Sequence, residues 1–227
     1  MVYVVSDIHG EYDAFMALLD KLNMDEKNDE LYVLGDCIDR GPEPIKVLME
    51  MMMYPNIFPI IGNHEYMALT MLKKLMLKIT NKNISEIDAE LMQGLLNWQS
   101  DGGEITLKQF QQLDDEDKES VFEYLEEFTL FEEVEVKGKK FVLVHAGIDN
   151  FEPERDMEEY GLHELIFNSP DYDKVYFEDK YLVTGHRPTE NREVLMKNNH
   201  IAIDCGKVWG GKLAAVRLDD MKVFYVD

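Results

Sequence analysis

Five short pieces of the chain carry side chains of the types that bind divalent cations. They are Asp7-Ile8-His9-Gly10, Gly35-Asp36-Cys37-Ile38-Asp39-Arg40-Gly41, Gly62-Asn63-His64-Glu65, His145-Ala146-Gly147 and Gly185-His186. Each ends or follows a short apolar run of strand character. Each offers a carboxylate, an amide oxygen or a neutral imidazole, the donors that hard and borderline divalent metals take. Two adjacent metals, one carboxylate bridging them and a nearby arginine are what hydrolysis of a phosphate ester needs. Alone, a histidine beside a glycine is more often structural than a ligand, and Asp39-Arg40 reads as a surface ion pair at a turn. Four histidines delivered in the same way as Asp7, Asp36 and Asn63 favour one shared site.

The elements that must position these groups follow from the hydrophobic pattern. Val2–Val5 is an apolar strand that delivers Asp7, and residues 11–22 follow with Phe15, Leu18, Leu19 and Leu22 at helical spacing. Residues 31–34 form a second strand, delivering Asp36. Residues 43–53 are helical with Pro42 and Pro44 at their start, and a third strand over 57–61 delivers Asn63 and His64. This βαβαβ order predicts a parallel sheet covered by helices, with the functional groups just past the strands' C-terminal ends. Residues 65–128 read as a helical accessory segment of a single domain spanning 1–227, broken at 81–83 and at Gly102-Gly103, with Ser85 as a helix start. The acidic run over 114–135, whose only base is Lys118, reads as a solvated helix face. Beyond it the pattern turns to strands: a hairpin around Lys137-Gly138-Lys139, a strand over 181–183 leading to Gly185-His186, and β structure over 201–203, 213–218 and 222–226.

The chain has 227 residues, 45% of them apolar, enough for one substantial domain. A net charge of -23 with no basic stripe speaks against a nucleic-acid partner or an anionic membrane surface. No apolar run approaches the ~20 residues that cross a bilayer. Cys37 and Cys205 lie far apart, and the N-terminal residues carry no signal-peptide pattern, so the expectation is a cytoplasmic protein with two reduced thiols.

Taken together, the five motifs resemble those of the metallophosphoesterases, in particular the phosphoprotein phosphatase branch: serine/threonine protein phosphatases of the bacterial and phage type, and symmetrical diadenosine tetraphosphatases. A weaker likeness, Trp98-x-x-x-Gly102-Gly103-x-x-Thr106-Leu107, resembles a tryptophan and paired glycines of bacterial and phage members. The resemblance implies an α/β fold, a calcineurin-like sandwich of two mixed β-sheets flanked by helices. It implies that Asp7 and His9 hold one metal, that Asp36 bridges, and that Asn63, His145 and His186 hold the second. Two divalent ions are then expected, manganese first, with iron or zinc open, because oxygen and nitrogen donors without thiolate do not choose among them. A water bridging the two ions becomes the nucleophile, Arg40 holds the phosphoryl oxygens, and His64, paired with Asp39, protonates the leaving oxygen.

One departure stands out. Relatives often carry a second phosphate-binding arginine after the His-Ala-Gly motif, where this chain has Phe167-Asn168-Ser169. Arg187, directly after His186, is the candidate replacement, with a solvent-facing arginine as the plain alternative. The expected substrate is a phosphomonoester, with protein phosphoserine or phosphothreonine ahead of a diadenosine tetraphosphate-type nucleotide. An inactive phosphate-binding module would predict eroded ligands, and none of the motif positions is eroded.

Overall fold

The computed structural model of the chain describes residues 1–76 and 89–227. Strand β1 (Val2–Val5), helix α1 (Tyr12–Leu22), β2 (Glu30–Leu34), α2 (Pro44–Met51) and β3 (Ile57–Ile60) open the fold. Helices α3 (Asn63–Met76), α4 (Ala89–Trp98), α5 (Glu104–Gln112) and α6 (Asp115–Glu126) follow. Then come β4 (Phe131–Val136), β5 (Lys139–Val144), a short α7 (Leu162–Ile166), β6 (Lys180–Thr184), β7 (Leu195–Lys197), β8 (His200–Ala202), β9 (Leu213–Arg217) and β10 (Lys222–Val226).

The strands form two five-stranded mixed sheets, in the orders β10-β9-β1-β2-β3 and β4-β5-β6-β8-β7. The expected parallel core is present: β1 pairs with β2 from Val2↔Glu30, and β2 with β3 from Leu31↔Ile57. In the second sheet β5, β6 and β8 run parallel. Alternation along the strands assigns the two faces. Val4, Leu34, Phe141, Leu143, Val183 and Val216 pack between the sheets. Tyr3, Val5, Val33, Val142 and Val144 face outward and are covered by helical residues such as Phe15, Leu18 and Leu48. A period of two does this because successive side chains leave opposite faces of a pleated strand.

Local chemistry explains the element ends. Helix α1 buries Ala14, Phe15, Leu18 and Leu22, carries Lys21 in its last turn, and stops where Asn23 turns left-handed with its N–H on the Leu19 carbonyl. Pro44 begins α2, where a missing N–H costs nothing. Asp114 caps α6 by accepting from the Asp117 N–H, and Val121 and Leu125 are the buried residues of that helix, so the acidic run is solvated as expected. The β4–β5 hairpin turns at Lys137 and Gly138, both at positive φ.

Three features differ from the sequence reading. The break at Gly102-Gly103 is a π-helical turn over Gln99–Gly103, with Gly102 at φ 102. The edge strand β7 is too short to show in the pattern, and α2 ends two residues early at Met51. The proposed break at 81–83 and the helix start at Ser85 lie outside the described residues.

Candidate metal centre

All five motifs fall at C-terminal ends of parallel strands: Asp7 and His9 after β1, Asp36 after β2, Asn63 after β3, His145 after β5 and His186 after β6. Backbone bonds fasten these ends together. The Asp7 N–H donates to the Gly35 carbonyl at 3.1 Å, His9 N–H to Asp36 at 2.8 Å and Gly185 N–H to His145 at 2.8 Å. Asp7, His9, Asp36, Asp39, Arg40 and His186 all hold positive φ, between 46° and 68°. That conformation costs a non-glycine residue about 1–2 kcal/mol and persists where surrounding structure over-determines it. Gly62 is required by close approach, since a Cβ there would strike the Asp36 carboxylate and backbone N.

The donors converge. His145 Nδ1 lies 2.7 Å from the Leu34 carbonyl, which makes it the protonated nitrogen and leaves Nε2 as a lone pair. That Nε2 faces Asn63 Oδ1 at 3.0 Å, His186 Nδ1 at 3.1 Å and Asp36 Oδ1 at 3.4 Å. Asn63 Oδ1 is also 3.0 Å from His186 Nδ1. On the other side His9 Nδ1 donates to the Ile38 carbonyl at 2.8 Å, so its Nε2 lone pair points towards Asp36 Oδ2, 3.7 Å away. Asp36 is therefore common to two clusters of potential ligands, His9-Asp36-His64 and Asp36-His145-His186. Asp7 accepts from the His186 N–H at 2.9 Å through Oδ2, and its Oδ1 is buried without a partner. Lone pairs aimed at lone pairs, with an orphaned carboxylate oxygen beside them, fit a pair of cations.

Protonation follows from burial. Burial pushes Asp36 up to about 7 and holds Asp7 well above the usual carboxylate range, with the charges of Asp204 and Asp36 adding to the rise in Asp7. Burial also keeps His9 and His145 well below the usual imidazole range and brings His186 to about 4, so these rings are neutral and free to ligate. His64 goes the other way. Burial lowers it, but the Asp36 and Asp39 carboxylates outweigh burial and raise it.

His64 and Arg40 stand beside the donors. His64 Nδ1 donates to Asp39 Oδ2 at 2.6 Å, while Nε2 is buried with no hydrogen-bond partner. Asp39 is fully enclosed: the Trp98 indole N–H donates to Oδ2 at 2.8 Å and the Thr106 hydroxyl to Oδ1 at 2.5 Å. Arg40 donates to His9 Nε2 at 2.7 Å and to Asp101 at 2.9 Å, under the ring of Trp209 at 5.4 Å. Arg187 lies outside this cluster. Its guanidinium donates to the Ser169 hydroxyl at 2.9 Å, against the serine that stands at the expected arginine position.

Several site residues carried no assigned role in the sequence. Glu65 is fully buried, and its carboxylate accepts from the N–H groups of Asp36 at 2.8 Å, Cys37 at 2.7 Å and Gly62 at 3.0 Å, tying the second and third motifs together. Its place in Gly62-Asn63-His64-Glu65 was the available signal. Trp98 and Thr106 were visible as spaced residues, but their bonds to Asp39 were not. Asp204 is buried near Asp7 and is lifted to about 6 by burial.

The calcineurin-like phosphoesterase family matches residues 1–223, and the chain belongs to that family. It is 37% identical over 98 residues to a symmetrical bis(5'-nucleosyl)-tetraphosphatase of Wigglesworthia glossinidia brevipalpis, covering 42% of this chain and 36% of that one. It is 46% identical over 68 residues to serine/threonine-protein phosphatase 2 of Escherichia coli, covering 30% of this chain and 31% of the relative. These two matches span about a third of each relative's length. A solved structure of a candidate diadenosine tetraphosphatase superposes with a TM-score of 0.70 at 19% identity, covering 99% of this chain and 92% of the other, which establishes the fold. Among the described residues, no helix is long and apolar enough to cross a membrane.

Proposed function

We propose that the chain hydrolyses phosphomonoesters, with phosphoserine and phosphothreonine in proteins as the first substrate class. The observation that carries the reading is the convergence of Asn63 Oδ1, His145 Nε2, His186 Nδ1 and Asp36 Oδ1 on one point, within reach of His64. His9 and Asp7 would hold one cation, Asn63, His145 and His186 the other, and Asp36 both. Manganese is proposed first, with iron or zinc as alternatives, since oxygen and nitrogen donors without thiolate do not choose among them. When bound, two such ions supply the positive charge that acidifies water and offsets charge on the phosphoryl oxygens.

The chain's own groups do the rest. Arg40 presents a guanidinium fork to the phosphoryl oxygens, and its NH1 arm, which now donates to His9 Nε2, would be available to them with His9 serving a cation. Asp39 accepts a hydrogen bond from the Nδ1–H of His64, so Nε2 carries the proton delivered to the leaving oxygen. Arg187 supplies a second cation from the Ser169 side.

A second reading, a diadenosine tetraphosphate-type hydrolase, is favoured by the name of the Wigglesworthia relative. The net charge of -23 weighs against so anionic a ligand. We read the chain as one domain with the 65–128 helices as its accessory part, acting in the cytoplasm without nucleic-acid or membrane partners. The buried free thiols Cys37 and Cys205 support a reducing compartment. The test is a side-by-side assay of p-nitrophenyl phosphate, a phosphoserine peptide and diadenosine tetraphosphate with manganese-loaded protein. Turnover of the first two supports the reading, dominance of the third replaces it with the nucleotide hydrolase, and none of the three defeats both.

A further inference from the structure

Asp101 occupies a position that the proposed reaction leaves without a role. Its Oδ1 accepts from Arg40 NH2 at 2.9 Å, and its Oδ2 lies 3.7 Å from His64 Nε2. One carboxylate thus faces, with its two oxygens, both groups that the reaction needs at the phosphoryl group: the guanidinium fork and the nitrogen that carries the proton. His64 Nε2 has no hydrogen-bond partner of its own. Asp101 is 48% exposed, so it is reached from solvent, while Arg40 and His64 lie deeper at 22% and 0%.

The backbone holds it there. Asp101 belongs to the π-helical turn Gln99–Gly103, and the next residue's carbonyl, that of Gly102, accepts from the Arg40 N–H at 3.0 Å. Gly102 sits at φ 102, where a Cβ would strike the Arg40 side chain and backbone. The bond from the Arg40 N–H to the Gly102 carbonyl and the close approach of Gly102 to Arg40 keep the Asp101 carboxylate beside Arg40 and His64.

We propose that Asp101 is a charge filter: an internal anion that the phosphoryl group must displace from Arg40, and that opposes a doubly charged phosphoryl group more than a singly charged one. The inference rests on the phosphoesterase reading. Repulsion between two charges grows with their product, so at one separation a dianion meets twice the opposition of a monoanion. At about pH 8, where the comparison is made, a monoester phosphate and inorganic phosphate are both close to dianionic, whereas a diester carries one charge. Asp101 therefore weakens binding of monoesters and of released phosphate, and narrows the advantage that two cations and an arginine give them over diesters.

The experiment compares wild type with Asp101→Asn, which keeps the side chain's size and an oxygen for Arg40 while removing the charge. Both proteins are loaded with manganese and matched for metal content. Phosphate affinity is read by calorimetry, and KM by turnover of p-nitrophenyl phosphate and bis(p-nitrophenyl) phosphate. In the variant, phosphate should bind about tenfold more tightly and the monoester KM should fall by a similar factor, while the diester KM falls only about threefold, the ratio that the charge product requires. Looser phosphate binding with a raised monoester KM would overturn the proposal and make Asp101 a positioning residue for Arg40. Equal shifts for both esters, or none, would also overturn it. If wild type turns over neither ester, the phosphoesterase reading fails, and the calorimetric comparison still decides the role of Asp101.

Discussion

The Trp98 indole N–H donates to the same oxygen, Asp39 Oδ2, that holds His64 Nδ1, at 2.8 Å and 2.6 Å. The two residues are 59 positions apart, and Trp98 comes from the helical segment that the sequence marks only as accessory. With Thr106 on Oδ1, both oxygens of Asp39 are held by protein donors, which fixes the carboxylate against His64. The helices between β3 and β4 therefore reach the acid through two bonds.

Asp39→Asn keeps the shape of that contact and removes its charge. The imidazole loses the partner that fixes its protonated nitrogen, and activity towards an alkyl phosphate should fall by about 10²–10⁴, the range for losing general acid catalysis. Metal content by elemental analysis should stay at the wild-type level. A variant with full activity would remove Asp39 from the mechanism.

His64→Ala separates protonation from binding. Esters with poor leaving groups should lose about 10²–10⁴ in kcat, whereas p-nitrophenyl phosphate, whose leaving group needs little help, should lose far less. If alkyl phosphates turn over normally in this variant, the acid is another group.

Glu65→Ala removes the carboxylate that accepts from Asp36, Cys37 and Gly62. Three buried N–H groups lose their acceptor, and the stability loss should be about 3–5 kcal/mol, the cost of breaking a buried charged network. Thermal melting in EDTA isolates this from metal loss. A melting temperature within a degree of wild type would show that the clamp carries little.

The pH dependence of the metal-stripped protein follows from Asp36, raised by burial to about 7 in the fold against 3.8 outside it. A raised folded value means that its stabilising contribution is complete below pH 3.8 and is lost as pH rises through about 7. The histidines have lowered values, so their contribution is fully present above their unfolded value of 6.5 and drops out only on acidification. The two contributions oppose each other across this range, so the proton held by Asp36 is read through metal binding instead. Metal binding near pH 6 should release protons, detectable by calorimetry in two buffers of different ionisation enthalpy. Uptake without proton release would contradict the burial argument.

Arg187→Ala tests whether that guanidinium meets phosphate. Removing a charge-assisted contact should weaken phosphate inhibition and raise KM for a monoester by about tenfold, 1.4 kcal/mol, with kcat changed less. An unchanged KM leaves Arg187 as a partner of Ser169 alone.

The sequence by itself determined which residue types stand at the strand ends and the strands that deliver them. Side-chain type and strand-end position are local properties: short apolar runs end just before Asp7, Asp36, Asn63, His145 and His186, and the βαβαβ order favours parallel pairing. The hairpin at Lys137-Gly138 was legible for the same reason, since its turn residues are contiguous.

Only the tertiary structure decided which lone pairs face one another. That His145 keeps Nε2 free depends on the Leu34 carbonyl, 111 residues away in the other sheet, and that Asp36 lies between two histidine clusters depends on how the sheets stack. The same holds for Glu65 under the Asp36 backbone, Trp98 and Thr106 on Asp39, Asp101 before Arg40, and Arg187 on Ser169. These contacts join residues with no shared period or spacing, and their partners are set by the packing of whole elements, which no local pattern records.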